Sequence, residues 1–188
     1  AAAFAVRHPD RTSSVVLVSG LPPSWRPDAR VRFYLRAPRL LAPLFLLASL
    51  RMYREITLAS AGIARGLAAA IRLGWLAVTH MFSSVRMARR VRLVESLDLQ
   101  EELLRVTVPL TAKLRTPALI ITGEPTLDRV VPVNMTREYL RLWPQAQVAT
   151  LSRTGHLGLM TRPVEFARLV VPFAEEAARD VGTERRVG

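Results

Sequence analysis

Two side chains in this sequence have surroundings that suit them for chemistry. Asp128 lies in Pro117–Pro132, PALIITGEPTLDRVVP, where an apolar run ends in a loop. His156 lies in Gln147–Pro163, QVATLSRTGHLGLMTRP, where a second run ends in Gly155-His156. Imidazole is the natural general base near neutral pH. A carboxylate on its Nδ1–H fixes the tautomer and stabilises the imidazolium. An acid and a histidine at the ends of two successive buried strands make two thirds of a nucleophilic site. The missing third is a serine on a strand-to-helix elbow, G-x-S-x-G. None of the ten serines has a glycine two positions away on both sides. Ser60 comes nearest, with Gly62 after it but Leu58 before it, in a helical context. The chain therefore reads as the C-terminal part of an enzyme that begins after its own nucleophile.

The acid has competitors. Glu124 lies in the same loop, closer to the strand end, and Asp28 follows the preceding strand. Asp128 also suits two structural roles, capping the next helix or pairing with Arg129. Gly155 is expected to permit a tight turn that aims the imidazole at the sheet edge. His8 sits in His-Pro-Asp and reads as a helix stop, and His80 reads as packed or superficial. Three scattered histidines and no cysteine make no metal pattern, so no metal is expected. The absence of a phosphate loop and of G-x-G-x-x-G leaves no cofactor expected.

The elements that must position these residues follow from pattern. Ala1–Arg7 reads as a helix end, halted by His8-Pro9-Asp10. Ser14–Gly20 is a valine-rich run suited to a strand buried on both faces. Leu21–Asp28 is a proline-rich loop. Val31 to about Leu104 is helical in character, and Val108–Leu114 links it to a strand at Ala118–Thr122. Pro132 suits the start of a helix running to about Trp143. Val148–Leu151 is the third strand. Pro163 opens the last helix, with Phe166, Leu169, Val170 and Phe173 on one side, and Pro172 should kink or split it. Strands alternating with helices predict an α/β fold, a partial doubly wound parallel sheet carrying an inserted helical cap. Residues 1–28 and 108–180 form the sheet-bearing core, 29–107 the cap over the sheet's C-terminal edge, and 181–188 a frayed tail.

The net charge of +12 is concentrated in the cap. Between Arg30 and Arg92 there are twelve arginines and a single acid, Glu55, a net +11. Such a surface attracts anions. It supports a non-enzymatic reading as well, a peripheral contact with an anionic membrane. Leu40–Leu50 is only eleven residues and contains Pro43, too short for a bilayer that needs about twenty. Ser60–Thr79 is long enough but contains Arg65 and Arg72. No nucleic-acid-reading module is recognisable, so nucleic acid is not an expected partner. The segment AAAFAVRHPD has neither the basic start nor the apolar stretch of a signal peptide, which gives a cytoplasmic expectation with membrane contact through the cap.

At these residues the chain resembles the α/β-hydrolase superfamily. AAAFAVRHPDRTSSVVLVSG is similar to the helix, His-Pro-Asp-Arg phrase and strand that follow the superfamily's elbow. Gly123, Glu124, Asp128, Val131 and Pro132, then Gly155, His156 and Pro163, match its later strand ends, whereas the middle matches only as a helical cap. The resemblance implies a Ser-Asp-His hydrolase, with Asp128 as acid, His156 as base and the serine upstream of Ala1. It implies a small ester or other carbonyl substrate entering under an apolar lid. Leu40–Leu50 lines that entrance or is ordinary cap core. Some relatives take the acid from after the preceding strand, which is why Asp28 stays in view. Dehalogenases and epoxide hydrolases with an aspartate nucleophile share this half, and there Tyr34 or Tyr53 would activate an epoxide.

Overall fold

The computed structural model describes residues 1–22, 24–49, 67, 68, 70, 71, 74, 75, 83–96, 116–128 and 130–187. The chain divides into two compact units, Ala1–Ser24 with Glu101–Gly188, and Trp25–Gln100.

The first unit is built on three parallel strands in the order β1 (Val15–Val18), β2 (Ala118–Thr122) and β3 (Gln147–Thr150). Val15 is level with Ala118 and Val18 with Ile121, while Leu119 is level with Gln147 and Thr122 with Thr150. This register brings the C-terminal ends of β2 and β3 to the same edge. Every residue of β2 is buried, which is why its sequence is an unbroken apolar run rather than an alternating one.

Alternation still decides which helix each residue meets. Val15, Leu17, Ala118 and Ile120 pack on one face with Ala5 and Val6 of α1 (Ala2–Arg7) and with Tyr139, Leu142 and Trp143. Leu119 and Ile121 pack on the other with Phe173, Phe166, Leu169 and Val170 of the final helix, α7 (Pro163–Val187). Ile120 and Ile121 are fully buried, each worth about 2 kcal/mol of transfer free energy. The result is an α/β fold with a parallel sheet covered on both faces.

β3 departs from expectation. Gln147, Val148 and Thr150 are exposed, so this strand is not buried. It is one of the two edges of the sheet among the described residues, β1 being the other. Only Ala149 and Leu151 contribute to the core from this stretch.

The predicted helix after Pro132 is shorter and tighter. Pro132 caps it rather than opening it, α5 spans Val133–Thr136, and a 3-10 segment continues over Arg137–Arg141. Tyr139 explains why the segment is held there. Its hydroxyl donates to Leu21 O at 2.7 Å, and Thr136 Oγ1 donates to Gly20 O at 3.1 Å, tying the loop after β1 to this segment.

Pro163 does open the last helix, but Pro172 does not split it, and the helical backbone runs on to Val187. Pro172 is on the exposed side, where its ring crowds no core neighbour and the freed carbonyl faces solvent. His8 ends α1 with its N–H on Phe4 O at 2.8 Å and its ring 4.9 Å from that of Phe4.

The second unit contains α2 (Ala29–Arg36), α3 (Ala42–Ser49) and α4 (Ser83–Ser96), and residues 67, 68, 70, 71, 74 and 75 are also helical. Buried Tyr34 holds α2 to α3 through an edge-on contact with Phe45, ring centres 5.2 Å apart. Ser84 Oγ donates to Pro38 O at 2.8 Å, and Arg92 donates to Leu35 O at 2.8 Å, fastening α4 to the same pair. Tyr53, Ser60, His80 and the link Val108–Leu114 lie outside the described residues.

Candidate active site

The loop after β2 begins at Gly123 and turns at once. Leu127 N and Asp128 N both donate to Glu124 O at 3.0 Å, which folds the loop back and delivers Asp128 to the end of the neighbouring strand. Asp128 is buried. Its Oδ1 accepts from Val130 N at 3.1 Å and Val131 N at 3.0 Å. Those two bonds fix the carboxylate and start the turn into α5, so the capping role expected of Asp128 is also present. Arg129, the other expected structural partner, lies outside the described residues.

The loop after β3 carries the histidine. Leu151 N donates to Thr122 O at 2.8 Å, continuing the strand pairing by one residue. Arg153 then takes a left-handed backbone, φ 60°, and its N–H donates to Glu124 Oε1 at 2.6 Å. Glu124 N in turn donates to Thr154 O at 2.7 Å. Glu124, weighed as a competing acid, therefore bolts the two loops together. The left-handed conformation at a non-glycine residue costs about 1 kcal/mol, and the charge-assisted bond offsets it. Thr154 is fully buried, and its Oγ1 lies 3.0 Å from Thr161 Oγ1 in α6 (Gly158–Thr161).

Between these anchors His156 Nδ1 comes within 3.7 Å of Asp128 Oδ1. At that separation the two groups face each other but stop short of a hydrogen bond. Nδ1 is buried with no hydrogen-bond partner, as is Asp128 Oδ2. The His156 side chain is 32% exposed, against 1% for that of Asp128, so the ring reaches outward from a buried acid. Burial pushes the Asp128 carboxyl upward. His156 and the Val131 and Val130 N–H groups outweigh it and hold the carboxyl below its ordinary range. An ionised acid behind an imidazole is the arrangement that orients a general base. Such pairs are often long without substrate and tighten when it binds.

The structure thus brings Asp128 and His156 together and gives Glu124 a different task. Asp28 is the N-cap of α2, its Oδ1 accepting from Val31 N at 2.7 Å. Tyr34 is packed against Phe33 and Phe45. Among the described residues no cluster of acidic or histidine side chains could hold a metal ion. Sequence reasoning missed the loop-to-loop role of Glu124. It also mistook the reason for Gly155. A Cβ there would lie 2.6 Å from Asp128 N and from Leu127 O. The glycine is needed for close approach between loops, not for an unusual turn.

Comparison with known proteins places this arrangement. A sequence model described as Alpha/beta hydrolase family matches residues 1–169. A search of curated proteins finds no match. Among solved structures, one described as a thermophilic esterase matches with a TM-score of 0.54 and 20% identity, covering 93% of this chain and 60% of its own. A second, described as Est816, an N-acyl homoserine lactone degrading enzyme, matches with a TM-score of 0.51 and 16% identity, covering 90% of this chain and 61% of its own. The chain spans about three fifths of the length of each, and likeness at such identity is likeness of fold. The family match over most of the chain, on a parallel sheet of the same kind, shows that the chain belongs to the alpha/beta hydrolase family.

Proposed function

We propose that this chain supplies the acid and base of a Ser-Asp-His hydrolase acting on esters or related carbonyl compounds. Asp128 is the acid, His156 the base, and the serine lies upstream of Ala1. The observation that carries the reading is the 3.7 Å approach of His156 Nδ1 to an ionised, buried Asp128 across the ends of adjacent parallel strands. The family match and the esterase and lactone-degrading neighbours support the substrate class.

The chemistry follows from the roles. The serine oxygen bonds the substrate carbonyl carbon as its proton passes to His156. The C–O bond to the leaving alkoxide breaks, and the alkoxide takes that proton. Water repeats the sequence on the acyl-enzyme and frees the carboxylic acid. Asp128 stays ionised throughout and stabilises the imidazolium. Backbone N–H groups beside the serine hold the oxyanion.

The test is expression with the upstream coding sequence included. That longer chain should hydrolyse p-nitrophenyl esters, and a fluorophosphonate should label a serine within a G-x-S-x-G elbow. The 188-residue chain alone should give no turnover. Incorporation of heavy oxygen from water into an enzyme aspartate, with no serine labelled, would move the protein to the dehalogenase and epoxide-hydrolase group.

A further inference from the structure

The second unit carries apolar side chains where a water-facing surface should be polar. Leu40, Leu44 and Leu47 are 80%, 46% and 62% exposed. Leu44 and Leu47 have the spacing that places residues on one helical face of α3, and Leu40 lies in the turn leading into it. Pro43, at the intervening position of the same stripe, is exposed too. Such exposure is at odds with a cap-core role for these leucines. α3 is apolar on every side, so packing of Ala42 and Phe45 against its neighbours leaves the stripe uncovered. Leu67, Ile71 and Trp75, spaced four residues apart, are also exposed, at 51%, 65% and 69%.

Charge accompanies the leucines of α3. Arg30, Arg32 and Arg36 are exposed on α2, which meets α3 through Tyr34 and Phe45, and Arg89 and Arg90 are exposed on α4, which packs on α3. Glu55 is the single acid between Arg30 and Arg92. Leucine and tryptophan beside a net positive field of this size suit a surface that is apolar inside and anionic outside. Arginine stems lie along such a surface while the guanidinium groups meet phosphates. No helix among the described residues is long and apolar enough to cross a membrane, so the contact is a resting one.

We infer that unit 2 docks on an anionic lipid bilayer, with Leu40, Leu44, Leu47, Leu67, Ile71 and Trp75 in the interface and the arginines of α2 and α4 on the headgroups.

Vesicle flotation of the full chain tests this. The chain should float with phosphatidylserine-containing vesicles at low salt, not with pure phosphatidylcholine, and should detach in about 1 M salt, where screening falls to about 3 Å. Arg89→Gln and Arg90→Gln should each weaken binding about fivefold. Leu40→Ser with Leu47→Ser should weaken it about tenfold. Thermal melting of all three variants should stay at the parent value, because the side chains are exposed. Vesicles should shift tryptophan emission to the blue, and Trp75→Phe should remove most of the shift. Failure to float at low salt, or equal flotation on neutral vesicles, would overturn the inference. So would leucine variants that float like the parent but lose a self-association seen without vesicles, since the leucines would then meet a second copy. Complete displacement by duplex DNA, with the leucine variants unaffected, would equally move the surface to nucleic acid.

Discussion

Gly123 and Gly155 lie back to back across the two loops, so close that a Cβ on Gly123 would stand 2.5 Å from Gly155 Cα. The obstructing atoms are backbone, including Thr154 O at 2.5 Å, and cannot swing aside. Gly123→Ala and Gly155→Ala should therefore each destabilise the chain by at least ~2 kcal/mol, the upper part of the range for an overpacked core. Denaturant melts measure the loss. A change within 0.5 kcal/mol, about the size of an ordinary surface substitution, would show that the loops are not in contact.

Asp128 serves two masters, and its variants should separate them. Asp128→Asn keeps an oxygen for Val130 N and Val131 N but loses the charge facing His156. Stability should fall by less than ~1 kcal/mol, while kcat of the longer, serine-bearing chain should fall by about 10⁴-fold. Asp128→Ala leaves both N–H groups without their acceptor and should also cost about 2 kcal/mol of stability. Equal activity of the Asn variant and the parent would remove Asp128 from the acid role.

Glu124→Gln distinguishes a bolt from an acid. The amide oxygen can still accept from Arg153 N, so most of the activity of the longer chain should survive. Glu124→Ala breaks the link and should lower melting stability by about 1 kcal/mol. A Gln variant as inactive as Asp128→Asn would make Glu124 the acid instead.

The acid limb of stability should depend on Asp128. Its carboxyl is held below the ordinary range in the folded chain. Between the folded and unfolded values the unfolded chain binds the extra proton. Stability therefore rises with pH through that window. The contribution is present in full above the ordinary aspartate range and disappears as pH falls through the folded value. Urea midpoints measured across the acid range should show this slope in the parent and a shallower one in Asp128→Asn.

Tyr139 should not ionise until strongly alkaline pH. Burial pushes its hydroxyl up to about 12, and the same hydroxyl holds Leu21 O. Tyr139→Phe should cost about 1 kcal/mol and remove the latest-titrating component of the ultraviolet phenolate signal.

Much of this was legible in the residues themselves. The apolar runs Val15–Val18 and Ala118–Thr122 had to be strands buried on two faces, because no solvent-facing strand is so uniformly apolar. Strand, helix and proline order then dictated a parallel α/β sheet, and the loops after successive strands had to leave from one edge. That order places the loops carrying Asp128 and His156 at the same rim.

Other features belonged to the tertiary structure alone. β3 is exposed and β1 is not, although each pairs with β2 alone among the described strands, so which flank of the sheet is covered was decided by packing and not by strand composition. Asp28, Glu124 and Asp128 are all carboxylates after strands, yet one caps a helix, one joins two loops and one faces the imidazole. A carboxylate accepts from whichever N–H the fold brings to it, so chemical type and sequence position could not rank them. The same holds for Gly155, since the need for a missing side chain arises only when a distant backbone occupies its space.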